Sequence, residues 1–386
     1  VEGFFDIHQM SLNKVGEELC GDQTRVIKTP TATTLILSDG LGSGVKANIL
    51  ATLTVEILAT MLQAEINLHE ILDTVIRTLP VDAQHRIAYA TFTILTLKHA
   101  DGAFRVLNFD NPAPFWIKDG HIEKLAMFEE KILGRTIATA TGILGMGDFL
   151  GLVSDGVLHA GPGTELNQAW GWDQIAAHLE TQFTRRVFAA HSVINGVMAV
   201  TNRLYAYRPS DDATFLGVLR RRRAALLVFT GPPLDTGFDY VPVERFIAFE
   251  GRKVICGGTT ANIVANFLKT KVETDSRSLS DAYPPTGKLP GVELVTEGVI
   301  TLAAVIDALE SSGGALERLE PAHSGVYLLA RELLLADAIT FFVGQAINPA
   351  YYNPLLPKNT SIRRYLVERL TELLTGFHKD VTIEYF

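Results

Sequence analysis

Apolar residues in this chain gather into short runs that end on Gly, Asp or Pro, and the pattern of those runs changes past the middle. Up to about Leu219, four runs read as strands: Val26 to Leu37, Ala88 to Leu97, Phe104 to Asn108 and Phe149 to Val153. Short apolar runs bounded by turn residues favour strands. Three longer stretches read as helices: Val45–Gln63, Leu68–Thr78 and Trp172–Thr184. In the first of these, Ile49, Leu53, Ile57 and Met61 recur at fourfold spacing, which predicts one buried helix stripe. The strands come in adjacent groups and do not alternate strictly with helices. That grouping predicts an α+β layered domain with mostly antiparallel sheets.

Beyond Leu219 the order becomes strand, turn, helix. The apolar run after Arg223 reads as a buried strand ending near Thr230. Lys253–Cys256 is a strand, followed by a Gly-Gly-Thr-Thr turn and a helix to Leu268. Val292–Glu297, Ala338–Val343 and Val381–Phe386 read as further strands. Leu302–Leu309, Val326–Leu335 and Ile362–Thr375 read as helices. This alternation predicts an open α/β domain with parallel strands. The boundary is set at 219/220, giving regions 1–219 and 220–386. Ser276–Lys288, with Pro284-Pro285, is expected to be an exposed loop. Arg220-Arg221-Arg222-Arg223 lies at the boundary, either as a solvated linker or as a patch for phosphate or an acidic partner.

With 386 residues, 47% of them hydrophobic, there is chain enough for two or three domains with a sizeable core. The net charge of −9 argues against general nucleic-acid binding, which needs a basic face. It leaves a phosphoprotein partner open, because bound divalent ions reverse the local sign. Cys20 and Cys256 are the only cysteines, so a disulfide framework is not expected and a reducing compartment fits. The opening Val1-Glu2-Gly3-Phe4-Phe5-Asp6 lacks the basic-then-apolar order of a signal peptide. Polar residues interrupt the most apolar stretch, Val45 to Ile66, so no membrane span is expected. A soluble, cytoplasmic protein follows as the expectation.

Candidate chemistry lies in acidic residues at the ends of apolar runs. These are Gly21-Asp22, Ser38-Asp39-Gly40-Leu41-Gly42-Ser43-Gly44, Ser154-Asp155-Gly156 and Ser210-Asp211-Asp212-Ala213-Thr214. One Asp-Gly after a strand is ordinarily a turn, since Asp bonds nearby backbone and Gly accepts positive φ. Four such sites in one region also suit a hard divalent cation, which takes carboxylate and carbonyl oxygens. Strand ends about 5 Å apart allow such carboxylates to converge.

In this order, the acidic motifs resemble those of the metal-dependent serine/threonine protein phosphatases of type 2C, most nearly the SpoIIE-like branch. Leu107-Asn108-Phe109-Asp110-Asn111-Pro112-Ala113-Pro114-Phe115 resembles that branch's Asn-Ala-Gly-His-Pro-Pro-Pro segment. The resemblance covers roughly residues 8–218. It implies an N-terminal α-β-β-α sandwich with two Mn2+ or Mg2+ ions between its sheets. By position it implies that Asp39 bridges the ions, Gly40 lends its carbonyl, and Asp155 and Asp211 complete one shell. Asp22 would serve the other ion, and Asp212 is the alternative to Asp211. Asp39 and Asp155 are thus the implied catalytic residues, acting on phosphoserine or phosphothreonine through metal-activated water. The implied partner is a phosphorylated bacterial signalling protein, of the anti-sigma-antagonist type, with a homodimer left open. Asp110-Asn111 replaces the family's Gly-His, and Leu41 stands where some relatives carry a His, so no general acid is assigned. His85 is the one loose candidate for that role. The alternative is a catalytically inactive phosphatase fold that serves as a signalling or ligand-binding module.

In the second region, Gly257, Gly258, Thr259 and Thr260 stand at a strand-to-helix turn. They read either as a tight turn with a Thr cap or as a site for a small anionic ligand or cofactor. No Gly-Lys-Ser/Thr follows, so this is not a Walker loop. Val295-Thr296-Glu297-Gly298 forms a second turn of the same kind, and Gly344–Pro354 is a candidate third wall. A regulatory or ligand-binding role is expected there.

Overall fold

The computed structural model describes residues 3–78, 90–132, 134–161, 170–184, 189–233, 240–275, 278, 284–319, 322–346 and 362–386. His85 and most of Gly344–Pro354 fall outside them. The chain forms two compact units, Val1–Arg222 and Arg223–Phe386.

The first unit runs β1 (Phe4–Leu12), β2 (Asp22–Lys28), β3 (Ala32–Gly40), α1 (Gly44–Gln63), α2 (Leu68–Thr78), β4 (Ala90–Lys98) and β5 (Ala103–Phe109). There follow β6 (Phe115–Lys118), β7 (His121–Glu123), β8 (Phe128–Ile132), β9 (Arg135–Ile143) and β10 (Phe149–Val153). The unit closes with α3 (Asp155–Leu158), α4 (Gly171–Thr184), α5 (Ala190–Leu204) and β11 (Ala213–Arg221). Two antiparallel sheets result, ordered β1-β11-β10-β6-β7 and β2-β3-β4-β5-β9-β8. Leu35, Leu37, Leu95 and Val106 of one sheet pack with Leu150, Leu152, Leu216 and Val218 of the other in one buried layer. Strand side chains alternate between faces, so the opposite faces bury a second set against helices. α1 and α2 cover one sheet through Val55, Leu58, Ile71 and Leu72. α4 and α5 cover the other through Ile175, Leu179, Val193 and Val197. The expected α-β-β-α sandwich is therefore the observed one.

Three expectations for this unit change. The run Val26 to Leu37 is a hairpin, not one strand: it turns at Thr29-Pro30-Thr31, where Thr29 N–H donates to Ala32 O at 2.9 Å. Proline has no N–H for a ladder, and this one marks the turn. The first half of the predicted stripe on α1 faces outward, with Ile49 58% and Leu53 41% exposed, while Ile57 and Met61 are half-buried against the core. Its buried face is Ala47, Leu50, Ala51, Thr54, Val55, Leu58 and Ala59. Apolar residues surround this helix, so fourfold spacing alone could not choose a face. Small Ala and Thr side chains let that face approach the sheet. By length and composition this helix could cross a membrane, which the interrupting polar residues had argued against. Its packing against the sheet accounts for the apolar residues of its inner face, while Val45, Ile49 and Leu53 stay exposed.

The arginine run is divided: its first two members are structural, and the exposed Arg222 and Arg223 stand at the boundary between the units, as the linker reading expects. Arg220 and Arg221 belong to β11. Arg220 is buried, and its Nη1 donates to Asp101 O at 2.6 Å and Leu144 O at 2.7 Å. Arg221 pairs with Asp6 at 2.8 Å. Arg223 pairs with Asp380 at 2.8 Å within the second unit.

The second unit runs β12 (Ala225–Thr230), α6 (Tyr240–Ala248), β13 (Arg252–Cys256), α7 (Gly258–Phe267), β14 (Glu273–Thr274), β15 (Gly287–Leu289) and β16 (Val292–Thr296). It continues with α8 (Val299–Ser312), α9 (Gly325–Leu335), β17 (Ala338–Val343), α10 (Ile362–Gly376) and β18 (Asp380–Tyr385). Its sheet is ordered β14-β15-β16-β13-β12-β17-β18. The strands from β16 to β18 in that order are parallel, as the alternating pattern predicts. Helices bury both faces, with α8, α9 and α10 on one and α6 and α7 on the other. The predicted exposed loop Ser276–Lys288 is partly internal. Ser278 and Thr286 are buried, and Thr286 N–H donates to Ser278 Oγ at 2.7 Å.

Replacing Arg220 by Met strands the buried Leu144 carbonyl, worth about 1–3 kcal/mol, and removes the bond to Asp101 O. Arg220→Met is expected to lower the thermal midpoint clearly, while Arg222→Met stays within about 0.5 kcal/mol of the parent. Calorimetric or fluorescence unfolding of the two variants checks this.

Candidate metal centre

The four acidic motifs meet at one end of the first unit's two sheets. Asp22 opens β2 and lies directly opposite Asp39 near the end of β3. Asp155 starts α3 just after β10, and Asp211 and Asp212 precede β11. β10 and β11 are neighbours in the other sheet.

Ser154 ties the two sheets together here. Its Oγ donates to Asp22 Oδ2 at 2.7 Å and accepts from Thr214 N–H at 2.8 Å. Its own N–H donates to Thr214 O at 3.0 Å. A serine before the acidic residue is thus a positioning residue, a role the sequence reading did not assign. Asp22 is only 3% exposed, and its Oδ1 has no hydrogen-bond partner. Asp212 is likewise buried: its Oδ1 accepts from Lys14 N–H at 3.0 Å, and its Oδ2 has no partner.

The glycines of the two Ser-Asp-Gly turns matter for contact, not for φ. Neither Gly40 nor Gly156 has a positive φ. A Cβ on Gly40 would lie 2.1 Å from Ala47 O, and one on Gly156 would lie 2.0 Å from Asp212 O. Both turns press backbone against backbone, which only a residue without a side chain allows. Gly40 N–H donates to Gly21 O at 3.2 Å, linking the turn to the residue before Asp22. Tyr205 donates its hydroxyl to Gly156 O at 2.6 Å. Asn48 of α1 donates to Cys20 O at 2.7 Å.

Crowding and burial govern the charges. Desolvation, then the charges of Asp22, Asp155 and Asp211, hold the Asp39 carboxyl far above the usual carboxylate range. Desolvation also raises Asp22, with Asp212 and Asp155 adding to it and the hydrogen bonds from Ser154 and Thr214 opposing it. Asp211 is raised by desolvation and by Asp155. Asp211 thus acts on Asp39 and is itself acted on by Asp155, while Asp212 acts on Asp22 and the Cys20 thiol. His159, one helical turn past Asp155, has its Nδ1 3.8 Å from that carboxylate.

As the side chains stand, no group of three or more His, Cys, Asp or Glu among the described residues is arranged to hold a metal ion. The donor chemistry nevertheless fits a hard divalent cation. Two buried carboxylate oxygens lack partners, and the neighbouring carboxylates raise one another's proton affinity. A cation relieves both conditions.

The segment carrying Asp110-Asn111 is structural. Asn111 accepts from Thr91 Oγ1 and donates to Thr93 Oγ1 at 3.1 Å. Asn108 accepts from Thr93 Oγ1 at 2.8 Å and donates to Asn111 O at 2.7 Å. Asp110 holds a left-handed φ of 56°, the conformation a glycine would adopt freely.

A family model described as Stage II sporulation protein E (SpoIIE) matches residues 29–221, half of the chain, and the chain belongs to that family. Its first unit has the two antiparallel sheets flanked by helices that the sequence resemblance implies. One similar solved structure is the type 2C phosphatase domain, with a fragment of the regulatory domain, of SpoIIE from Bacillus subtilis. It has 18% identity and a TM-score of 0.48, covering 57% of this chain and 64% of that one. Another holds the RsbU and RsbW domains of a Mycobacterium tuberculosis protein, with 21% identity, a TM-score of 0.46 and coverage of 57% and 61%. A third is RsbX in complex with magnesium, with 18% identity, a TM-score of 0.42 and coverage of 56% and 95%. The chain therefore spans less than two thirds of the first two structures. A search of curated proteins by sequence found no match.

The raised carboxyls make a signed prediction. Asp22 is pushed up to about 7 and Asp39 to about 9, against 3.8 for an unperturbed carboxyl. Between these values the folded chain holds protons that the unfolded chain has released. Metal-free stability is therefore full below the unfolded value and falls as pH rises from about 4 through about 9. Thermal unfolding in chelator is expected to show that decline. Asp39→Asn, which removes the most strongly perturbed charge, is expected to flatten it and raise the midpoint near pH 8, by about 2–4 °C per kcal/mol regained.

Proposed function

We propose that the chain is a metal-dependent serine/threonine phosphoprotein phosphatase of bacterial signalling. One observation carries the reading: Asp22, Asp39, Asp155 and Asp211, from four separated motifs, act on one another electrostatically at the meeting of two sheets. Family membership supports it.

In this reading Asp39 would hold both of two Mg2+ or Mn2+ ions, because its carboxyl feels Asp22, Asp155 and Asp211 together. Asp155 and Asp211, the first of which raises the second, would hold one ion with the Gly40 carbonyl. Asp22 would serve the other, its second oxygen fixed by Ser154. When bound, such ions acidify water and offset the charge of phosphoryl oxygens. The chain's own contribution is rigidity. Ser154 fixes Asp22, and the backbone contacts at Gly40 and Gly156 fix the turns that carry Asp39 and Asp155. Preorganised charge of this kind avoids reorganisation during reaction. The substrate would be a phosphoserine or phosphothreonine on a signalling protein of the anti-sigma-antagonist type, in the cytoplasm.

A second reading, an inactive phosphatase fold kept for binding, draws on the arrangement of the carboxylates, which do not form a metal-holding group as placed. Turnover separates the two. With manganese, the protein is expected to hydrolyse para-nitrophenyl phosphate. Asp39→Asn is expected to reduce the rate by about a hundredfold or more. Ser154→Ala, which frees Asp22 without removing a carboxylate, is expected to weaken manganese dependence and leave a residual rate. A well-folded protein with no manganese-dependent turnover would sink the enzymatic reading.

A further inference from the structure

The parallel strands of the second unit are ordered β16-β13-β12-β17-β18, so the winding reverses between β12 and β17. Open sheets of this kind hold ligands beyond the carboxyl ends of their strands at such a reversal. β12 ends on Thr230, in register with Cys256 at the end of β13. α7 begins at once, at Gly258.

The start of α7 has donors to spare. Gly257 N–H is spent on Thr296 O at 2.9 Å, and the first bond closing the helix is Ala261 N–H to Gly257 O at 3.0 Å. The N–H groups of Gly258, Thr259 and Thr260 precede that closure and lack helical partners. A Cβ placed on Gly258 would meet nothing within 4 Å, so this helix start is open.

Two buried hydroxyls at this end of the sheet have no partner among the described residues: Thr260 in α7, and Thr230 on the sheet face that α8, α9 and α10 cover. Thr260 is 1% exposed and Thr230 0%, and neither Oγ1 makes a hydrogen bond. Thr260 Oγ1 lies 3.6 Å from the point where a Cβ on Gly257 would sit, so it faces the helix start. Buried hydroxyls are ordinarily satisfied, and an unsatisfied one facing a helix start points to a ligand.

A cation flanks the same strand end. Arg363, in the first turn of α10, has its guanidinium against Gly231: a Cβ there would meet Nη1 at 2.3 Å. Nη1 donates to Gly344 O at 3.0 Å and Ala346 O at 3.3 Å. Among the described residues no hydrogen bond engages Nε or the other terminal nitrogen. The nearby Glu297 carboxylate is engaged elsewhere, accepting from Ile300 N–H at 3.0 Å at the start of α8.

We propose that the start of α7, with Thr230, Thr260 and the Arg363 guanidinium, binds a small phosphate-bearing anion. Backbone donors at a helix start, hydroxyls and a planar cation together suit phosphoryl oxygens. The site lies within the second unit and uses none of the acidic residues of the first.

Isothermal titration of the full chain with inorganic phosphate tests this. The Asp39→Asn variant in chelator is used, so that the acidic centre does not contribute. Saturable binding at one site is expected, weakened about tenfold or more by Thr260→Val and by Arg363→Met. With Asp39 intact, both changes are expected to leave manganese-dependent hydrolysis of para-nitrophenyl phosphate unaltered. AMP as a second probe distinguishes the source: tighter binding than phosphate marks a nucleotide site, and equal binding marks free phosphate. Thr260→Val is nearly isosteric, so it reports even where Arg363→Met fails to fold. Absence of saturable phosphate and AMP binding would overturn the proposal, as would binding that Thr260→Val leaves unchanged.

Discussion

The hydrogen bond from Ser154 to Asp22 crosses from one sheet to the other, and the acidic end of the first unit is organised around it. Buried like charges repel, and burial alone would favour keeping them apart or protonated. Ser154 answers with a donor to one carboxylate while its oxygen and its N–H are held by Thr214 of the adjoining strand. The sheets can therefore meet at a place where their side chains would otherwise push apart. The glycines complete this arrangement by contact. Backbone of α1 lies against Gly40, and the backbone of Asp212 lies against Gly156.

The fold was largely legible from apolar periodicity, but unevenly. The strands β4, β5, β10, β13, β16 and β17 emerge from continuous apolar runs, whose burial on both faces makes them conspicuous. β1 and β11 were missed because polar residues interrupt the first and arginines end the second. The α1 stripe failed for a related reason. A helix apolar on most sides gives no contrast, and only the position of Ala47 and Ala51 against the sheet reveals its inner face.

The candidate centre was legible through the order of its acidic motifs. The convergence of Asp22, Asp39, Asp155 and Asp211 follows from strand pairing that no single motif encodes. Ser154 could have been found, since the same serine precedes both Asp39 and Asp155. The two differ in use, though: Ser38 donates to Thr91 O within its own sheet, and only Ser154 reaches across. In the second unit, Gly257 to Thr260 showed the helix start, but Arg363 lies more than a hundred residues away and carried no local signal.

Four consecutive arginines read as one feature, and the fold divides them. Arg220 and Arg221 finish the ladder of β11 with β1, reaching its partner Phe4, while Arg223 is engaged in the next unit. Excision of either half is therefore sensitive to a few residues. A chain ended after Leu219 would forfeit a buried guanidinium and the last rungs of an edge pairing. One ended after Arg222 would keep every rung.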